Sequence, residues 1–436
     1  MNIKEDISEI IKLSKSKIGR DSAIVLAGNI FSAGLGFIAT VLITRTLGPA
    51  EFGLFSLALT VMSIATQFSD FGIGTGLVRF ASLYLKNDTL KADLMFKVSL
   101  KIRLIVGILI FLIGFFASET LAVQVFRKPE LIFPLKLAFI GTVGISLVGY
   151  ITTTLQARQS FVKFAFINII QSLMKVTVIG FLFYAYKLEL FNALITVIML
   201  PFIAFLIGSL IIPRDFLKAK GDEKESFREL YHFSKWIFVS VFCFMIFDSL
   251  GVLMLGYYKT TDVVGLYSAA YTFAFAFPII AGTITTILLP KVSGLSGIEE
   301  MIDYINKSLK FTIPILVPLI ILLFLAKPLI IFFYGVEYQP SVIIFQTLII
   351  GFALSLIINP ISLIIYSLNK PEILAYLNIM QLILNFFGNI LLIPPYGAIG
   401  AAITTLSSRI IGAIFIGAYV YSIIITKKTS NSGIFK

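Results

Sequence analysis

The sequence predicts an all-α polytopic membrane protein of about 12 transmembrane helices, in two six-helix lobes related by an internal repeat. Three observations predict it. First, 58% of residues are hydrophobic and 13% are charged, with a mean hydropathy of +0.99; a soluble domain carries about 25% charge. Second, twelve apolar segments are long enough to cross a bilayer. Their limits are 22–44, 52–80, 98–119, 131–155, 164–186, 190–212, 232–257, 263–289, 309–333, 340–367, 372–393 and 398–425. Third, the chain echoes itself. Gly53-Leu-Phe-Ser-Leu-Ala-Leu-Thr60 returns 212 positions later as Gly265-Leu-Tyr-Ser-Ala-Ala-Tyr-Thr272. Asn168-Ile-Ile-Gln171 returns as Asn378-Ile-Met-Gln381, and Ala193-Leu-Ile-Thr196 as Ala401-Ala-Ile-Thr404. A fixed order at a nearly constant offset marks a duplicated unit of about half the chain. In a membrane protein such duplication suggests a transporter, with its substrate path between the halves.

The elements follow in order. Residues 1–21 carry Ile7, Ile10, Ile11 and Leu13 at helical spacing among mixed charges, so they read as an amphipathic helix on the cytoplasmic face. Residues 22–212 form the N-terminal lobe, and 213–231 a charged cytoplasmic linker. Residues 232–426 form the C-terminal lobe and 427–436 a cytoplasmic tail. The spans are helices, because lipid leaves open backbone without partners. Several exceed 25 residues, so tilts or breaks are expected. With both termini inside, 26 of the 35 Lys and Arg fall in cytoplasmic segments or at their membrane edges, and six lie outside. That is a positive-inside pattern, and it places the chain in a cell membrane as a multi-pass protein. It also explains the net charge of +12 by topology and anionic lipid rather than nucleic acid. Cys243 is the single cysteine, so no intrachain disulfide is available. One histidine, His232, and no nucleophile motif, metal cluster or phosphate loop argue against an enzyme.

Ionisable groups inside spans cost at least ~2.5 kcal/mol each, so they are functional candidates by default. Five stand out: Asp70, Lys136, Lys175, Asp248 and Arg409. The plain alternative for each is a paired structural residue, and Lys136 is near enough to the outer edge to snorkel. Asn168, Gln171 and Lys175 fall within about 60° of arc on span five, forming one polar stripe. Asn378, Gln381, Asn385 and Asn389 do the same within about 80° on span eleven. The 210-residue offset superimposes the two stripes, with Asn385 at the position of Lys175. Both are expected to line the central cavity; the alternative is that the amides glue helices together. Gly72, Gly74 and Gly76 follow Asp70 and read as a site of close packing or bending, not a nucleotide fingerprint. Arg79 and its repeat counterpart Lys291 occupy equivalent inner positions, where two bases suit an anionic head group or serve as positive-inside anchors. Asp248 offers a carboxylate for a sodium ion or a proton.

Motifs along the whole chain resemble those of the multidrug/oligosaccharidyl-lipid/polysaccharide exporter superfamily, and more narrowly its polysaccharide and O-antigen flippases. Ala27-Gly-Asn29 with Thr44-Arg45-Thr-Leu47-Gly48-Pro49-Ala-Glu51-Phe-Gly53 is similar to the signature joining spans one and two. Phe68-Ser-Asp70-Phe-Gly72-Ile-Gly74 resembles the second-span segment. Asp248 through Gly256, followed by Val264-Gly265-Leu-Tyr267, resembles its counterpart in the second half. The resemblance implies two six-helix lobes around a cavity. It implies alternating access that moves a polyprenyl-pyrophosphate-linked oligosaccharide from the inner to the outer leaflet, for cell-surface polysaccharide assembly. Partners would be that glycolipid, membrane lipid, and the polymerase and glycosyltransferases of the same pathway. Lipid II flippases of the superfamily hold sodium, and their ligand positions match Asp248, Asn385, Asn389, the Ala401 carbonyl and Thr405 here. Those flippases have an acid where this chain has Asn389, so either Na⁺ or H⁺ remains open as the coupling ion; no other cofactor is expected. Two rival functions stand beside this one. A cation-coupled drug exporter of the same superfamily would favour acids over the three bases and two acids seen in spans. A polysaccharide polymerase would need a sizeable charged outer loop, which the spacing of spans leaves no room for.

Overall fold

The computed structural model describes residues 17–275, 297–367 and 372–431. The expected amphipathic helix at 1–21 therefore lies mostly outside the described residues, as do Lys291 and the second half of the eighth span. Among the described residues there are helices and no strands. The chain is built from α1 (Lys17–Asp70), α2 (Ile73–Asn87), α3 (Thr89–Thr120), α4 (Ile132–Ala157), α5 (Phe161–Tyr184) and α6 (Leu190–Ile211). It continues through α7 (Glu223–Tyr258), α8 (Thr261–Ala274), α9 (Ile298–Tyr334), α10 (Ser341–Ser362) and α11 (Glu372–Asn431). Among the described residues, nine helices are long and apolar enough to span a membrane. Two of them are each a pair of spans joined by a turn. In α1 the turn is at Gly48, φ 68°, just before Pro49. In α11 it is at Gly397, φ 57°, just after Pro394 and Pro395. Left-handed backbone favours glycine at both places, and proline has no amide proton to carry a helix through. Large side chains stand bare along the outer faces, Phe116 and Phe324 among them at 77% and 83% exposure. Bare apolar belts of this kind belong in lipid, and the chain is a multi-pass membrane protein.

The glycine cluster after Asp70 breaks the second span. Phe71 (φ 48°) and Gly72 (φ 69°) are left-handed, so α1 stops at Asp70 and α2 restarts at Ile73. A Cβ on Gly72 would meet the Ser234 carbonyl at 2.8 Å, and one on Gly76 the Ser234 hydroxyl at 2.6 Å. Both sequence readings of these glycines, bend and close packing, hold together.

The chain divides into two compact units, one of Met1–Leu47 with Ala58–Phe242, the other of Gly48–Leu57 with Cys243–Lys436. The boundary thus falls within the seventh span rather than at the 213–231 linker. Electrostatics and packing explain why. Glu223 accepts from Lys97 at 3.1 Å and Lys101 at 2.6 Å, and Lys91 bridges Glu225 and Glu229, each at 3.3 Å. Tyr84 donates to Glu229 at 2.6 Å. Phe216 is buried between Phe96 and Tyr150. The linker and the start of α7 are therefore part of the first unit, whose core is built on Leu77, Met95, Phe96, Ile151 and Leu230. Lys101 first, and then Lys97, hold the Glu223 carboxyl below its ordinary range. That clasp is complete at neutral pH and is lost as pH falls through the depressed value. In the second unit, Tyr304, Leu363, Ile364 and Ile416 form a compact cluster.

The internal repeat has a physical signature inside the second unit. A Cβ on Gly53 would strike the Thr261 carbonyl and come within 3.0 Å of the Gly265 nitrogen. A Cβ on Gly265 would strike the Pro49 carbonyl and come within 3.1 Å of the Gly53 nitrogen. Pro49 and Thr261 are themselves 212 positions apart, as are Gly53 and Gly265. The contact is reciprocal, as at a local two-fold axis, and it relates the two copies of the motif at the offset read from sequence. Only residues without a Cβ allow backbones this close. Gly53→Ala and Gly265→Ala should each destabilise the protein by about 1–3 kcal/mol. Gly34, with nothing within 4 Å, should tolerate alanine without loss. Thermal unfolding of the three variants in detergent checks this, and a Gly53→Ala protein as stable as Gly34→Ala would refute the close crossing.

Candidate functional site

Two carboxylate–guanidinium pairs lie at membrane depth, one in each unit; Arg103 is buried, and Asp70, Asp248 and Arg409 are partly buried. In the first unit Asp70, at the break between α1 and α2, pairs with Arg103 on α3. Arg103 also donates to the Ser146 carbonyl at 3.1 Å. A Cβ on Gly74 would come within 2.8 Å of one terminal nitrogen, and a Cβ on Gly149 within 2.9 Å of the other. Those glycines open the slot in which the guanidinium lies. Arg103 is absent from the sequence-derived candidates because it stands near the edge of an apolar run and was counted with the basic fringe. Its i, i+4 neighbours Ser99 and Gly107 are also buried, and that small-residue face was the available signal for an inward arginine.

In the second unit Asp248 on α7 accepts from Arg409 on α11 at 3.2 Å. Arg409 also donates to Ser355 at 3.0 Å and lies over the rings of Phe352 at 4.5 Å and Phe247 at 5.4 Å. Tyr267, fully buried, sets its hydroxyl against Gly251 and beside Thr405.

The remaining candidates sort into engaged and unengaged groups. Asn389 donates to Asn385 at 2.7 Å, Asn385 faces Thr405 at 3.5 Å, and Thr405 donates to the Ala401 carbonyl at 3.0 Å. Gln381 reaches the Ser408 carbonyl at 3.3 Å. Two of the four amides on the first arm of α11, Gln381 and Asn385, thus reach its second arm, the helix-gluing alternative; Asn389 bonds to Asn385 on its own arm, and Asn378 makes no such bond among the described residues. The structure brings Asn385, Asn389, Ala401 and Thr405 together, but the Asp248 carboxylate is held by Arg409. With its one charge compensated by a guanidinium, this set does not fit a sodium ion, although the buried Asn389 Oδ1 has no partner. No group of three or more His, Cys, Asp or Glu among the described residues could hold a metal.

Asn168, Gln171 and Lys175 on α5 are half-buried, and among the described residues none makes a side-chain hydrogen bond or ion pair. Arg79 is exposed and stacks over Phe233 at 4.4 Å. Lys136 lies over Phe115 at 5.3 Å. Lys175 is therefore the membrane-depth cation left without an ion pair, hydrogen bond or ring among the described residues.

Residues 18–296 match the family model described as polysaccharide biosynthesis protein. The chain belongs to that family. Among its relatives, a putative O-antigen transporter of Shigella flexneri is 25% identical, over 85% of this chain and 88% of the relative. A probable low-salt glycan biosynthesis flippase of Haloferax volcanii is 24% identical, over 94% and 85%. Two solved structures share the fold. One is the inward closed lipid II flippase MurJ, with a TM-score of 0.75 at 18% identity, covering 92% of this chain and 87% of that one. The other is an inward-facing MATE multidrug transporter of the MOP superfamily, at 0.76 and 14%, covering 91% and 96%. At these identities the likeness is one of fold, and the all-α polytopic membrane fold expected from the sequence is the fold these two transporters share.

The Asp248–Arg409 pair gives a direct energetic test. Removing either partner leaves a partly buried charge unpaired at membrane depth, so Asp248→Ala and Arg409→Ala should each cost about 2–4 kcal/mol. The double variant should recover a large part of that loss in a thermal-unfolding cycle. Additive losses would mean that the two side chains are not coupled.

Proposed function

We propose that this family member is a flippase for a polyprenyl-pyrophosphate-linked oligosaccharide, carried from the inner to the outer leaflet by alternating access of its two lobes. The observation that carries the reading is the charge left over at membrane depth. Asp70 is matched by Arg103 and Asp248 by Arg409, so the remainder is positive: Lys175, with Lys136 against a ring. An interior with surplus positive charge favours a pyrophosphate and disfavours an organic cation. The names of the Shigella and Haloferax relatives point the same way, and the MATE neighbour keeps drug export as the second reading. In this reading the protein sits in the cytoplasmic membrane with both termini inside, as its Lys and Arg distribution favours. It is a transporter rather than an enzyme, serving the glycosyltransferases and polymerase of one pathway.

Coupling in this account goes through Asp248 as a proton carrier. A pyrophosphate that draws Arg409 away leaves the Asp248 carboxylate with the Tyr271 hydroxyl but no counter-charge, and a proton is the simplest way to discharge it.

The test uses purified protein in sealed vesicles. A head-group-labelled polyprenyl-pyrophosphate oligosaccharide should become protected from an external reagent, faster under an imposed proton gradient and unchanged by a sodium gradient. A fluorescent organic cation should not accumulate. Cation accumulation without glycolipid protection would establish the exporter instead.

A further inference from the structure

The first unit contains a cavity of about 430 Å³ beside the Asp70–Arg103 pair, lined by Thr66, Gln67, Thr152, Thr153 and Gln156 among others. That volume is in the range of small-molecule sites. Its hydrogen-bonding character is lopsided. Thr66 donates its hydroxyl proton to the Met62 carbonyl at 2.8 Å. Thr152 and Thr153 donate theirs to the Gly149 carbonyl at 3.0 and 2.8 Å. Each threonine is left presenting lone pairs. Asp70 accepts from Arg103 through Oδ1, which leaves Oδ2 as a further acceptor. Gln67 and Gln156 are half-buried and among the described residues make no side-chain hydrogen bond, so each offers both an acceptor and an NH₂ donor.

The pocket is therefore rich in acceptors, has two adaptable amides, and is close to electrically neutral. Arg103, the one cation in its wall, is 3% exposed, with one terminal nitrogen on Asp70 and the other on Ser146. A pyrophosphate would find as donors the Thr75 hydroxyl and the two amides, and a cation already paired with Asp70. An organic cation would find a carboxylate whose charge is already balanced. A ligand dense in hydroxyl groups, each a donor as well as an acceptor, meets the pocket on its own terms.

We propose that this cavity is a saccharide subsite, which takes neutral sugar rings of the head group while the pyrophosphate is held elsewhere by unpaired positive charge. The subsite rests on the flippase reading for its biological role, but its binding chemistry stands independently. The division of labour is physical. A hydrated glycan loses water hydrogen bonds on entering the membrane interior, and each hydroxyl needs a protein partner to replace them. Threonines anchored to their own helices and a carboxylate fixed by an arginine are held in place beforehand, so little ordering is needed when sugar binds.

The experiment is saturation-transfer NMR on the full-length protein in detergent with four probes: glucose, a neutral disaccharide, inorganic pyrophosphate and tetraphenylphosphonium. The sugars should receive saturation from the wild type. Gln67→Leu and Gln156→Leu, both at half-exposed positions and checked for unchanged melting temperature, should each reduce that signal at least fivefold. Lys175→Ala should leave the sugar signal intact and reduce the pyrophosphate signal. Sugar binding equal in wild type and both leucine variants would overturn the subsite, as would saturation of tetraphenylphosphonium that depends on Gln67 and Gln156. No transport step enters this measurement. Failure of vesicle flipping with sugar binding intact would count against the flippase reading and leave the subsite standing. The converse would count against the subsite alone.

Discussion

A charge in hydrocarbon has no solvent to answer it, so it must be answered by the protein within reach of a side chain. That constraint organises the interior of this chain. Each compact unit places one aspartate against one arginine and surrounds the pair with groups that fix it: Ser146, Gly74 and Gly149 in the first, Ser355, Phe247 and Phe352 in the second. Neither pair is strong evidence for stability in itself, since desolvation offsets most of the attraction. Their consequence is selective. Once both acids are matched, Lys175 stands out on α5 as a cation at membrane depth with no ion pair, hydrogen bond or ring partner among the described residues, and in the proposed function an anionic substrate is its counterpart.

The two halves use the same ancestral pattern differently. Asn168, Gln171 and Lys175 make no side-chain hydrogen bond or ion pair among the described residues on α5, whereas Gln381 and Asn385, the counterparts of Gln171 and Lys175, bind the second arm of α11. One stripe is left available to a ligand and the other serves as internal adhesive. The Gly53–Gly265 crossing, in contrast, keeps its two copies in reciprocal contact, because at a local two-fold axis each copy is the other's environment.

Much of this was legible in the sequence for reasons that are local. Gly48-Pro49, Phe71-Gly72 and Pro394-Pro395-Tyr-Gly397 announce turns through backbone chemistry alone, and all three are turns or breaks. Apolar run lengths located the spans, but α3, α7 and α9 begin well before them, at Thr89, Glu223 and Ile298, and the first turns of α7 are held by lysines of α3. The pairings were not legible. Asp70 meets Arg103 and Asp248 meets Arg409 across 33 and 161 positions of chain, and no periodicity on one helix reports which helix lies beside it. The same blindness gathered Asp248 with the two asparagines as a cation set. The sequence could not show that a guanidinium on α11 would reach the carboxylate.

The central claim is that an unpaired positive charge on α5 recognises the anionic part of the substrate. The most direct measurement is the initial rate of glycolipid flipping in vesicles for wild type, Lys175→Arg and Lys175→Gln, at equal reconstituted protein. The account predicts that Lys175→Arg stays within about tenfold of wild type and that Lys175→Gln falls by at least about a hundredfold, a loss of roughly 2.7 kcal/mol. A Lys175→Gln protein that flips the glycolipid as fast as wild type would contradict it.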